Sequence, residues 1–173
     1  DEFEIMARKR GNVTRYISRI NERAGFEVPL MGFGGRFHLE DAENTNGALP
    51  FIAGGIGLTP LLAQLPGIDV SRLKLLWSVN ARDVGLVLDT FRQFPDLPAS
   101  TRLFITGPDD RLDEEKFKAI TSSGTRVERR RMEAGDIDPS LADVWYLCAP
   151  AGLKRSALDW LTGKRVVYED FEY

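Results

Sequence analysis

The chain has 173 residues, 43% of them hydrophobic, with 26 acidic against 23 basic side chains and a formal charge of −3. That length buries one good core, or one core plus part of a second, and the balance of charge argues against a broad nucleic-acid surface. Cys148 is the only cysteine and His38 the only histidine, which excludes an intrachain disulfide, a cysteine-based metal centre and multi-histidine metal sites, and leaves little room for a Ser-His-Asp triad.

No apolar run approaches the length of a bilayer crossing, so no membrane partner is expected, and the lone cysteine suits a reducing, cytoplasmic compartment. The opening "DEFEIMARKRGNVT" carries no secretory signal and starts directly on a strand-like run, as expected of a chain that begins within a domain. "FEIMARKR" and "FEVPLMGFGGRFHL" read as strands on either side of a helical pattern, "VTRYISRINERAG", that closes on Gly25 as a C-terminal cap. The polar stretch "EDAENTNGA", residues 40–48, marks a boundary, with one domain over 1–47 and a second over 48–173.

From residue 48 onward short apolar runs alternate with helical patterns. Strands are predicted over 49–53, 73–79, 102–106, 126–131, 144–148 and 166–168, and helices over 60–65, 84–94, 114–121 and 152–161. "LKLLWSV" and "VWYLC" are apolar without strict alternation, as in central strands covered on both faces. The rhythm is βαβ, and the fold class is α/β with a doubly wound, mostly parallel sheet. Trp77, Trp145 and Trp160 read as core, and the basic run 129–131 as a solvated edge.

"FIAGGIGLTP", residues 51–60, sheds its side chains at the end of the first of these strands. Gly54, Gly55 and Gly57 can take positive φ and expose bare backbone, Thr59 offers a hydroxyl, and Pro60 suits an early helical position. At the carboxyl end of a strand in a doubly wound sheet this arrangement suits a pyrophosphate. Glycine spacing alone leaves a second reading open, a tight strand-to-helix turn without a ligand. Cys148, likewise, reads from the residues alone as a buried small hydrophobe or as a functional thiol.

"GGIGLTPLLAQL" resembles the "GGxGxTP" nucleotide-binding segment of the ferredoxin–NADP reductase-like flavoprotein superfamily. "VWYLCAPAGLKRSALDWL" looks like the family's "YxCGPxxMxxxVxxxL" segment, "VVYEDFEY" is similar to its closing "ExF" motif, and "GNVTRYI" followed by "GFGGRF" resembles the last part of its flavin-binding barrel. These motifs stand in the family's order across nearly the whole chain. The resemblance implies a partial antiparallel flavin-binding barrel over 1–47, an NAD(P)H-binding domain over 48–173, FAD or FMN as flavin, NADH or NADPH as donor, and hydride transfer to the flavin with electrons passed on to an acceptor or redox partner.

On that resemblance Gly54, Gly55, Gly57, Leu58, Thr59 and Pro60 cradle the nucleotide pyrophosphate. Cys148 lies near the nicotinamide's reactive carbon, with Ala149, Pro150 and Leu153 forming the wall. Glu169 and Phe171 lie near the flavin ring, while Gly11, Val13 and Thr14 meet the flavin pyrophosphate; residues 11–14 read equally as a turn with a helix cap. Arg82 and Arg111 follow consecutive strands and stand in reach of a ribose phosphate, leaving the choice of NADH or NADPH open. His38 falls on a barrel strand without catalytic duty.

Two departures from the family pattern matter. Ala149 replaces the glycine of the family's cysteine-glycine-proline, and the "RxYS"-type segment that grips the flavin is not found. The reading is therefore the carboxyl-terminal portion of a flavin-dependent NAD(P)H oxidoreductase, expected by itself to bind the nucleotide without flavin. The alternative is a flavin-free module acting as a binding or scaffold domain. A fragment is the expected case, because two strands and a helix cannot close a barrel.

Overall fold

A computed structural model of the chain describes residues 14–16, 19, 37–39 and 47–169. The chain divides into two units, Asp1–Arg36 and Phe37–Tyr173. In the first, residues 14–16 and 19 are helical, inside the helix expected there. The strands expected around it, and with them the antiparallel barrel piece, lie almost wholly outside the described residues.

The second unit is built on six parallel strands: β1 (Leu49–Gly54), β2 (Leu73–Asn80), β3 (Thr101–Thr106), β4 (Arg126–Glu128), β5 (Val144–Cys148) and β6 (Arg165–Tyr168), in the order β4-β3-β2-β1-β5-β6. From β1 the chain steps outward through β2 and β3 to β4, then returns to the other side of β1 for β5 and β6. This reversal is the mark of a doubly wound sheet, and it opens a crevice between β1 and β5 at their carboxyl ends. The α/β class and the six strands match the sequence expectation.

Four helices cover the sheet: α1 (Thr59–Leu62), α2 (Val84–Gln93), α3 (Glu114–Thr121) and α4 (Ala151–Trp160). The first three bury Leu61, Val84, Val87, Phe91 and Ile120 against one face, on Phe51, Leu75, Trp77, Leu103 and Tyr146. On the other face Ala157 of α4 meets Ile52, Phe104, Trp145 and Leu147. Each large apolar side chain taken fully out of water contributes about 1.5–3 kcal/mol, so the sheet is stabilised from both sides.

Local chemistry sets the helix limits. Asp113 caps α3 by accepting from the Lys116 N–H, and acidic Glu114 and Glu115 occupy its positive end. Phe94 caps the end of α2, and Pro95 after it cannot continue the helix. α1 is shorter than the expected 60–65. Its last turn gives way to a 3-10 turn over Leu65–Gly67 containing Pro66, and Gln64 between them is used elsewhere: its amide accepts from the Leu39 N–H (2.8 Å) and donates to Phe37 O (3.3 Å) and Pro60 O (3.0 Å). That clamp holds residues 37–39, whose Phe37 ring packs edge-on against Phe51 and Tyr146 at 5.9 and 6.0 Å. Phe37 and Leu39 thus belong to the second unit, ahead of the polar stretch expected as the boundary, and His38 between them is exposed without regular strand structure.

Two strands differ from expectation. β2 alternates between fully buried residues and less buried ones, with Lys74 exposed and Leu76, Ser78 and Asn80 half-buried, because at this strand only the face beneath α1–α3 is completely covered. β4 stops at Glu128 instead of reaching 131, since Arg130 turns away to form a bidentate pair with Asp136, at 2.7 and 2.6 Å. The return from β4 to β5 uses 3-10 turns in place of an α-helix, and Met132 and Ile137 in that segment seal the second face. Arg102 joins the pair at 2.6 Å from Asp136 and 2.8 Å from Glu128, and both guanidinium groups lie over the Phe104 ring. Arg129 pairs with Asp109. The basic run is thus largely neutralised along the sheet edge.

Candidate functional site

The sequence-predicted loop residues converge on the crevice at the switch point. β1 and β5 pair with Ala53 opposite Cys148, so the chains leaving them run side by side. One is the 3-10 turn Gly55–Leu58 leading into α1, and the other is Ala149-Pro150 leading into α4.

The three glycines of the first chain do different work from that expected. Only Gly55 has positive φ, +57°, and a Cβ placed on it would meet nothing within 4 Å. Gly54 has an extended φ of −120°, and a Cβ there would overlap the Pro150 ring and stand 3.0 Å from Ala149 Cβ. At Gly57 a Cβ would overlap the Cys148 carbonyl and lie 3.2 Å from its sulfur. Two glycines therefore let the loops touch, and one gives the crevice bare backbone in a conformation that L side chains avoid.

The Leu58 side chain is fully buried in the core and leaves the crevice to its neighbours. Thr59 and Pro60 are half-buried, and the Thr59 hydroxyl makes no hydrogen bond among the described residues. Ile56, at the crest of the loop between two glycines, is an exposed apolar side chain. Across the crevice Ala149 and Leu153 are half-buried and Pro150 is exposed.

Cys148 is 1% exposed. Burial pushes its thiol up to about 12, with the charge of Glu169 adding to the shift. At neutral pH the sulfur carries its proton, which removes it as a base or thiolate nucleophile. Glu169 is half-buried at the end of β6, where its N–H donates to Leu147 O at 3.1 Å. Phe171, Gly11 and Val13 lie outside the described residues; Thr14 is helical and half-buried in the first unit.

Arg82 and Arg111 occupy adjacent 3-10 turns, Ala81–Asp83 and Asp109–Arg111, at the carboxyl ends of β2 and β3. Both are exposed, and neither guanidinium has a hydrogen bond or ion pair among the described residues.

One residue of the site is missed by sequence reasoning. Trp77, read there as core, is fully buried, and its indole N–H donates to Gly55 O at 2.9 Å. The available signal is chemical: a buried indole needs an acceptor, and β2 runs parallel beside β1 with Trp77 opposite Ala53, two residues before Gly55.

No family model matches the chain, and no curated protein matches it. Among solved structures the chain is similar to a mutant ferredoxin-NADP+ reductase from Plasmodium falciparum determined with 2'P-AMP, with 16% identity, 79% of this chain and 58% of that chain covered, and a TM-score of 0.36. The chain thus spans less than two-thirds of that reductase.

Proposed function

We propose that residues 37–169 form the nicotinamide-nucleotide-binding portion of a flavin-dependent NAD(P)H oxidoreductase. The observation that carries this reading is the pairing of the "GGIGLTP" loop with Cys148-Ala149-Pro150 at the switch point of a parallel, doubly wound sheet, where such sheets take their ligands.

The residues present fit a nucleotide. Gly55 leaves open space where any other residue would place a Cβ, the Thr59 hydroxyl is available to donate to a phosphate oxygen, and Arg82 and Arg111 stand ready at the neighbouring strand ends. When bound, the nicotinamide supplies a hydride. Ala149, Pro150 and Leu153 form an apolar wall that keeps water from the ring, and the neutral Cys148 thiol lies buried behind that wall, where it moves no proton. Glu169 brings a carboxylate toward the same wall from β6. The flavin half of the reading, including the role of Phe171, rests on residues outside those described.

Calorimetric titration with NADH and NADPH tests the reading. Saturable binding of either nucleotide supports it. Absence of binding to a well-folded protein overturns it in favour of a scaffold module.

A further inference from the structure

The Gly55 carbonyl is held by a buried indole, and this fixes more than the carbonyl. Among the described residues no peptide bond is cis, so across the Gly55–Ile56 peptide the C=O and the N–H point in opposite directions. Trp77 holds the C=O toward the core at 2.9 Å, and the Ile56 N–H is thereby turned away from the core. That direction is the open side of the loop, where Ile56 is 38% exposed and a Cβ on Gly55 would touch nothing. Ile56 sits in the first turn of the 3-10 segment, whose N–H groups have no acceptor within the turn, and Gly54 supplies no side-chain cap.

A glycine at this position creates a need for such a restraint. With no Cβ, Gly55 tolerates both orientations of its outgoing peptide, one presenting an N–H and the other a C=O to the crevice. The two would have opposite effects on an anion. We infer that Trp77 is a positioning residue of the nucleotide site, selecting through its indole N–H the loop orientation that presents the Ile56 N–H to a pyrophosphate. This rests on the reading of the loop as a nucleotide site. Trp77 itself touches no ligand, since it is fully buried.

The test separates the indole N–H from the bulk of the ring. Trp77→Phe keeps an aromatic in the core and removes the donor. Phe91→Leu loosens the packing of Trp77, whose ring it meets edge-on at 6.2 Å, and leaves the donor in place. Both variants and the wild type are titrated calorimetrically with NADH and NADPH, and the Ile56 amide resonance is followed by ¹⁵N NMR without ligand. Trp77→Phe is expected to bind about tenfold more weakly with a displaced Ile56 resonance, while Phe91→Leu stays within about twofold with the resonance unmoved. Equal binding by Trp77→Phe with Ile56 at its wild-type position overturns the inference, as does an equal loss in Phe91→Leu. If the wild type binds neither nucleotide, the functional reading fails, and the ligand-free Ile56 resonance still decides whether Trp77 sets the peptide. Should Trp77→Phe fold poorly, 3-benzothienylalanine at position 77, similar in shape but without the donor, makes the same comparison.

Discussion

Gly57 lies directly against the backbone of Cys148, with no room between them for a methyl group. This contact joins the two loops of the crevice and separates two kinds of glycine. Gly57→Ala must displace a strand-end carbonyl, which cannot rotate away like a side chain, and is expected to cost about 3 kcal/mol in urea unfolding. Gly55→Ala has open space and bears only the cost of positive φ, about 1–2 kcal/mol. For nucleotide binding the more telling change is Gly55→Val: it keeps the fold, yet strain at the loop and a branched side chain in the crevice should weaken NAD(P)H binding by at least about 1–3 kcal/mol in calorimetry. Unchanged affinity in folded Gly55→Val would remove the loop from the site.

The Cys148 thiol is predicted to be silent in the native protein. With its proton held up to about 12 by burial, it should resist dithionitrobenzoate at pH 8 and react at once in denaturant. The sign for stability follows from the same shift. The fold favours the neutral thiol, so this contribution is complete below the ordinary value of 9.0 and is lost as pH rises toward about 12, and Cys148→Ala should flatten that alkaline decline. Rapid native labelling at pH 8 would show that the sulfur is open to solvent.

At the opposite end of the pH scale the Arg130–Asp136 pair decides. Hydrogen bonds from Arg130, aided by the Glu133 N–H and the charge of Arg102, hold the Asp136 carboxyl at about 2 against an ordinary 3.8. A depressed carboxyl stabilises the fold above its ordinary value and loses that contribution as pH falls, here from about 4 to about 2, with roughly 2 kcal/mol at stake. Urea unfolding at stepped pH should show this loss in the wild type. Asp136→Asn should lack it, while starting lower at pH 7 because Arg130 and Arg102 lose a shared partner.

The strands, their parallel arrangement and the glycine loop were legible because each is written locally: all-buried β1 and β5 as unbroken apolar runs, the loop as three glycines between a strand and a proline. What was hidden depends on contacts distant in sequence. Gly54 and Gly57 look like ligand-facing positions until β5 is placed beside β1, and only then does the close approach of residues 148–150 explain them. Gln64 reads as an ordinary helix residue, yet its amide serves residues 37 and 39, more than twenty positions back. Trp77 follows the same logic, its partner lying one strand away.

Arg82 and Arg111 give the nucleotide reading its sharpest consequence. They extend from neighbouring turns at the ends of β2 and β3, exposed and without partners among the described residues, whereas Arg129 and Arg130 close by are committed to Asp109 and Asp136. Two uncommitted guanidinium groups at adjacent strand ends suit a phosphate dianion better than a ribose hydroxyl, since each charge-assisted bond contributes about 1.5–3 kcal/mol. NADPH is therefore expected to bind more tightly than NADH. Arg82→Gln and Arg111→Gln should each narrow the gap, and the double variant should bring NADPH down to the NADH affinity without changing NADH itself. The NADPH advantage should also shrink with added salt, because both arginines are exposed and their field is screened within about 10 Å at 0.1 M. Calorimetry with both nucleotides at two salt concentrations reads all of this directly. Equal wild-type affinities would mean that these arginines never meet the ribose, and a loss of NADH binding in the double variant would place them on the pyrophosphate instead.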